Sequence, residues 1–585
     1  MPLKLPVHLA LLGLLQLATL PSETRPASLS WWTVGSLIKV RPGTPAPERP
    51  EHRAEIAAAR NEFEAFQIVL RSDMEDVAGL DVELSDFKGT NGTDISKSNA
   101  AVYLEQFMAV AQPSTAAGLK GLWPDPLLPR VDRYAHERRK AFPFRIRKGE
   151  DQPVWVEIFI PADAAPGKYS ASASILQDGN VKFSVPVNLT VWRFTLPSTS
   201  TLRSSFGFNG VTTLKQHRGS YTSDEDLYSL TRVYQQAALQ HRISIHGGTL
   251  APPKFGAQGE TIKIDWRAYD AEVAPFLDGN AIPKGEPLYG ARETSIDLRT
   301  PAAFPSPGDQ RSYWAQWMGH FRKHGWADRL FLYLWDEPVP ESYGKVEQRG
   351  EAALKADPSI RNLLTLPFTS KLADVVQIWV PLVNCLETRP GSDDFCREHP
   401  ALADYDAERQ AGKSLWFYQS CASHGCGGKG GAYFDGWPSY MIDASGPANR
   451  IMQWVAWKYH IEGELYYSMN EAYAHPGDPW ADLFLSGGNG DGTLFYPGRP
   501  ERIGGHTDIP IESMRLKLIR DGMEDYEYLS LLAAKADRKV ADRFADRLVE
   551  KPWSSETRPD KIAQVRREMG ELLDSLTESS RGGGK

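Results

Sequence analysis

The segment of this chain best suited to chemistry is Phe331-Leu-Tyr-Leu-Trp-Asp-Glu-Pro338, where an apolar run ends in two adjacent carboxylates and is then stopped by proline. Two acids at one point can divide the work of bond cleavage, one donating a proton while the other carries charge. Successive strand residues point to opposite faces, so Asp336 and Glu337 address one substrate only if the chain is already turning there. Pro338 favours such a turn. The bland alternative is an Asp that caps the next helix beside a Glu paired to a surface Arg, and residue pattern alone leaves the two readings level.

Other residues at strand ends and in the loops that follow suit a sugar. The chain holds 17 Trp and 22 Tyr, more than its core requires, and flat rings with polar edges stack on pyranoses. Trp416 and Tyr418 share one strand; Tyr466, Tyr467 and Asn470 end another; Trp437 and Trp480 follow in loops. The substrate-binding candidates are Tyr418, Trp437, Tyr467 and Asn470, with Asn209 and His246 also ending strands. No metal is expected: Cys421, His424 and Cys426 match no common zinc spacing. Cys385, Cys396, Cys421 and Cys426 are read instead as disulfide candidates, the local pairs 385–396 and 421–426 requiring the least rearrangement of three possible connectivities. The run Cys426-Gly-Gly-Lys-Gly-Gly431 lacks the Ser or Thr of a P-loop and reads as a lid, while Asn489-Gly-Asp-Gly492 lacks the alternating ligands of an EF-hand loop. The cues of serine hydrolases and zinc proteases, Gly-x-Ser-x-Gly and His-Glu-x-x-His, are missing.

The elements that must position these residues follow from periodicity. At 585 residues the chain is long enough for two or three domains, and 66 Lys plus Arg against 74 Asp plus Glu leave a charge of −8, which disfavours nucleic acid as a partner. Residues 1–27 read as a signal peptide and processed leader, a short basic start followed by an apolar run, implying a secreted or periplasmic protein; no later stretch is apolar enough for a membrane span. Residues 28–197 alternate in short runs such as Ala65–Leu70, Val154–Ile160 and Val185–Trp192, the pattern of a β-sandwich. From 198 to 510 short apolar runs alternate with amphipathic helices. Strands are expected at 202–208, 243–246, 294–298, 330–335, 362–366, 375–380, 414–418 and 463–468, and helices at 224–239, 310–324 and 448–460. A (β/α)8 TIM-type barrel is the economical architecture, with an open doubly wound sheet as the alternative. Residues 511–578 form a charged helical extension, and 579–585 a disordered tail.

The Asp336-Glu337 segment, together with Ala58-Ala-Arg-Asn-Glu-Phe-Glu-Ala-Phe-Gln-Ile68, Asn489-Gly-Asp-Gly-Thr-Leu-Phe-Tyr-Pro-Gly498 and Arg515–Tyr528, resembles glycoside hydrolase family 123 and its wider relatives. The resemblance spans most of the chain after the leader. It implies an N-terminal β-sandwich, a catalytic barrel, and release of β-linked N-acetylhexosamine, above all N-acetylgalactosamine, from a glycan or glycoconjugate. It further implies a cofactor-free retaining mechanism in which the substrate's own acetamido oxygen attacks, Asp336 orients it, and Glu337 acts as acid and then base. Two other readings stay open on the residues: an ordinary glycosidase pairing Glu337 with Glu471 or Glu387, and a carbohydrate-binding protein without turnover.

Overall fold

The computed structural model describes residues 1, 29–90, 92–116, 118–248, 253–258, 261–301, 303–304, 306–392, 395–425 and 431–582. The expected signal peptide, the lid at 426–430 and the last three residues lie outside them. Among the described residues no helix is long and apolar enough to cross a membrane.

Residues from Leu29 to Thr195 form two sheets. One runs in the order Leu29–Gly35, Glu62–Ser72, Asp151–Ile160, Ala100–Val110, Gly121–Pro129; the other has Ala54–Arg60, Asn180–Thr195, Gly167–Gln177, Val77–Leu84 and Phe144–Ile146 along its length. Alternation along the strands explains why they face each other: Phe66, Ile68 and Leu70 from the first sheet share one apolar cluster with Val82, Ile175, Val187 and Leu189 from the second. Asp178 and Gly179, both at positive φ, make the tight turn expected between Gly167–Gln177 and Asn180–Thr195.

The second region is built on eight parallel strands, labelled here β1 (Arg203–Asn209), β2 (Ile245–Gly248), β3 (Ile296–Asp297), β4 (Leu330–Trp335), β5 (Asn362–Leu364), β6 (Ile378–Trp379), β7 (Ser414–Gln419) and β8 (Gly463–Tyr466). From β3 to β8 each pairs with the next in the chain, β8 returns to β1, and β1 pairs with β2. Among the described residues the ring is hydrogen-bonded everywhere except between β2 and β3, so it is a nearly closed barrel. Phe331, Leu363, Ile378, Trp416 and Leu465 fill its interior, whereas Leu330, Leu332 and Leu334 face the outer helices. All eight expected strands are present, the shortest being only two residues long.

Two helices expected from sequence have the caps that pattern demands. Ser223 accepts from Asp226 N–H to start Asp224–Gln240, and Gly325 at φ 73° ends Pro307–His324. The helix expected over 448–460 is instead two short ones, Gly446–Arg450 and Met452–Lys458, broken at Ile451 where Trp454 N–H bonds three residues back. The charged C-terminal extension also contains a small hairpin, Val549–Lys551 with Ser554–Ser555, and its last helix continues to Gly582, into the stretch expected to be a disordered tail.

Helix Met514–Lys535 joins the two regions, and it is buried around its whole circumference from Met514 to Leu529 despite seven charged residues in that span. Each charge has partners. Arg515 forks onto Asp125 of the N-terminal sheets with two bonds of 2.9 Å and donates to the carbonyls of Tyr440, Gly490 and Thr493. Lys517 and Arg520 converge on Glu157, Glu524 meets Arg242, and Asp525 accepts from both Arg450 and Arg566. Glu527 accepts from Thr201 in the connector. Removing one member strands the other in a dry interior: Asp125→Ala is expected to cost about 3–5 kcal/mol in denaturant unfolding. The double change Asp125→Leu with Arg515→Met should recover much of that loss.

Candidate active site

How two adjacent acids come to face one space is answered by a break in β4. Its register with β5 pairs Tyr333 with Leu363 and then Trp335 with Leu364, leaving Leu334 without an opposite number. This bulge inverts the alternation. Leu334 and Trp335 both pack toward the outer helices, so Asp336 falls on the inner side that strict alternation would deny it. Glu337 then adopts φ 41°, a left-handed conformation costly for a side chain with a Cβ, and turns the chain before the buried Pro338. Both carboxylates are solvent-exposed at the strand's C-terminal end.

Neighbouring strands hold the pair. Tyr333 Oη, from the interior face of β4, donates to Asp336 Oδ1 at 3.0 Å. Thr365, just beyond β5, donates to the same oxygen at 3.1 Å while its Oγ1 receives Glu337 N–H at 2.9 Å, pinning the strained residue. Tyr418, from β7 across the barrel, donates its hydroxyl to Glu337 Oε1. Burial, reinforced by the adjacent carboxylates, pushes both phenols above their ordinary range, so they remain donors. His246, expected to end its strand, is instead the second residue of β2; its ring lies nearly parallel to that of Tyr333 at 6.4 Å, and burial lowers its basicity.

The remaining sequence candidates divide. Tyr467 is half-buried beyond β8 and reaches the Asp491–Gly492 turn, where a Cβ on Gly492 would stand 2.4 Å from its hydroxyl. Asn470 is not free for a ligand: it is 1% exposed, and its amide is spent on Asn209 N–H and C=O and on Thr213, tying β8 to β1. Trp437 is likewise a packing residue, 5% exposed, with its indole N–H on Tyr433 C=O and its ring against Trp553. Trp416 fills the barrel, Trp480 packs on Tyr496, and Asn209 caps helix Gly210–Arg218. Glu387 is engaged by Tyr459 and Lys551, and Glu471 lies near His475. Cys385 and Cys396 form the expected disulfide, while the 421–426 pairing involves Cys426, outside the described residues. Sequence reasoning missed Tyr333 and Thr365; the available signal was that Tyr333 lies three residues before Asp336 on the same strand and that Thr365 is polar and follows the end of the neighbouring one.

The Asn489-Gly-Asp-Gly492 turn is a bracket for the site wall. Gly490, at φ 83°, lies flat against the Arg515 guanidinium, where a Cβ would come within 2.8 Å. Asn489 bonds Gln112 C=O, Ser114 and Asp443. Burial raises the Asp491 carboxyl to about 7, partly offset by hydrogen bonds from Tyr467, Gly492 N–H and Tyr466.

Comparison with known proteins places the chain by its domains and fold. Residues 41–177 match the glycoside hydrolase 123 N-terminal domain and residues 308–532 the glycoside hydrolase 123 catalytic domain, the latter containing every group around Asp336 and Glu337 except His246. A family 123 glycoside hydrolase from Clostridium perfringens, solved in a study of glycolipid glycan hydrolysis, superposes with a TM-score of 0.65 at 14% identity, covering 94% of this chain and 98% of that one. A Bacteroides ovatus GH5 xyloglucanase (TM-score 0.28, 10% identity, 85% and 100% coverage) and a Bacteroides cellulosilyticus family 39 glycoside hydrolase (0.31, 10%, 81% and 82%) are too distant to carry an argument. No curated protein matches the chain.

Two measurements test the site. Thr365→Val keeps the shape but removes the bonds to Asp336 and Glu337 N–H, and kcat is expected to fall about 10–100-fold with KM changed far less. For Asp491, the unfolded chain titrates near 3.8 and the native state near 7, so the native state holds its proton longer. Its contribution to stability is full below about pH 4 and is lost as pH rises through 7. Asp491→Asn should therefore gain on the wild type between pH 5 and 7.5 in parallel urea titrations, by an amount that levels off at higher pH.

The two matched domains and the fold shared along nearly the whole chain agree: the chain belongs to glycoside hydrolase family 123.

Proposed function

We propose that this glycosidase removes β-linked N-acetylhexosamine, foremost N-acetylgalactosamine, with retention of configuration and with the substrate's acetamido oxygen as the nucleophile. The observation that carries the reading is the shared orientation of Asp336 and Glu337. Acids that leave one strand end in the same direction meet the sugar from one side, whereas the paired carboxylates of ordinary retaining enzymes flank the glycosidic bond from opposite sides at about 5–5.5 Å. They can instead serve one side of the ring in two capacities.

Asp336, braced by Tyr333 and Thr365, accepts the acetamido N–H and offsets the positive charge of the forming oxazolinium ring. Glu337 protonates the leaving oxygen, then takes a proton from the water that opens the ring. Tyr418 holds Glu337 in place between the two steps. Of the carboxylates available to an ordinary glycosidase, Glu387 is already paired with Lys551, which favours the assisted route. The family 123 relative studied on glycolipid glycans makes a glycan of that kind a sensible first substrate. The basic and apolar N-terminal segment and the Cys385–Cys396 disulfide support export to an oxidising compartment.

Aryl β-N-acetylgalactosaminide should be cleaved, and the cyclic thiazoline analogue should inhibit far more strongly than the substrate binds. Glu337→Gln should abolish turnover of poor leaving groups while sparing activated ones in part. Asp336→Asn should slow both by about 100-fold or more. Folded protein with no turnover on any 2-acetamido sugar, or with an unchanged rate in Asp336→Asn, would overturn the mechanism.

A further inference from the structure

On the outside of the barrel, away from the carboxylate pair, the helices Arg267–Asp278 and Pro307–His324 bring Asp270, His320 and His324 together, one ligating atom of each within 4.8 Å of the others. His320 and His324 are four residues apart and so share one helix face, which is the spacing by which a helix presents two imidazoles to one ion. Asp270 comes from the neighbouring helix, its Oδ1 2.8 Å from His320 Nε2.

We propose that these three side chains form a binding site for a divalent transition-metal ion of the zinc, nickel or cobalt class, clamping the two helices together. Two imidazoles and one carboxylate suit such ions, whereas calcium and magnesium require mainly oxygen. With metal–ligand bonds of about 2.0–2.2 Å, tetrahedral geometry separates ligand atoms by about 3.3 Å. The Asp270–His320 contact must therefore open by about half an ångström as the ion replaces the bridging proton. The rings are already fixed. His320 lies parallel to Trp266 at 4.0 Å, and His324 stacks on Trp326 at 4.5 Å, so little side-chain freedom remains to be lost on binding.

The position gives the clamp a purpose. Among the described residues no strand pairing joins β2 to β3, and the chain connecting them includes the hairpin Lys254–Gln258 with Thr261–Asp265 and then helix Arg267–Asp278. An ion held by Asp270 from this connection and by two His from the helix after β3 would add a coordination bridge across the β2–β3 junction. His324 lies at the end of its helix that leads into the start of β4, the end opposite Asp336 and Glu337, so the ion would stabilise and not catalyse.

Tag-free protein stripped with chelator is titrated with Zn2+ and separately with Ni2+, following heat, and hydrogen exchange is recorded with and without Zn2+. One ion per chain should bind, with slowed exchange in helix Arg267–Asp278 and unchanged glycosidase turnover. His324 is exposed, so His324→Ala should fold normally. Losing a ligand costs at least what losing an outer-shell partner costs, so affinity should fall by about 10–100-fold or more, with a similar loss in His320→Ala. Trp266→Ala, which frees the His320 ring, should weaken binding by a smaller factor. No saturable binding to either ion, or an affinity unchanged in His324→Ala, would overturn the proposal.

Discussion

A buried lattice of opposite charges along helix Met514–Lys535 is the constraint on which the rest of the molecule depends. Arg515, Lys517, Arg520, Glu524 and Asp525 each reach a partner outside the helix, from Asp125 and Glu157 in the N-terminal sheets to Arg242 and Arg450 around the barrel and Arg566 in the last helix. Apolar packing would hold these layers together without specifying their alignment. Charges buried away from water tolerate only the arrangement in which every one is paired. The lattice also extends to the site: the guanidinium that forks onto Asp125 supports Gly490, whose turn abuts Tyr467 through Gly492.

The geometry of the acid pair rests on a local departure from regular structure. A barrel strand offers alternate residues to interior and exterior, and an adjacent pair of acids would be split between them. The bulge at Leu334 and the positive φ of Glu337 each violate a rule that ordinary strands obey, and together they bring both acids to the same side. The cost of the left-handed residue is offset by Thr365, whose hydroxyl receives the Glu337 N–H and donates to Asp336. Tyr333 and Tyr418 then hold the two carboxylates from separate strands.

The surplus of aromatic residues has a different explanation from the one composition suggested. Trp416 fills the barrel against Gly463, Trp437 packs on Trp553, and Trp314, Trp317 and Trp326 are buried beneath the outer helices. Three broad layers and a long inter-region contact consume most of the rings. The aromatics at the site act through their hydroxyls as positioning donors, a use in which Tyr418 and Tyr333 differ from every Trp.

Periodicity, caps and turn residues are local properties, and they sufficed to read the two-region plan, all eight barrel strands and the caps at Ser223 and Gly325 directly from the amino-acid order. The acids at 336 and 337 were legible as candidates, but residue pattern alone left a capping Asp beside a surface-paired Glu as an equal reading, and the family resemblance tipped the balance. What the order of residues left open was direction and company: which way Asp336 points, that Asn470 spends its amide on β1, that Thr365 and Tyr333 meet at one carboxylate, and that helix 448–460 breaks at Ile451. These depend on contacts between residues far apart in the chain and on a one-residue slip in pairing. Neither leaves a trace in composition or spacing, so tertiary structure alone decided them.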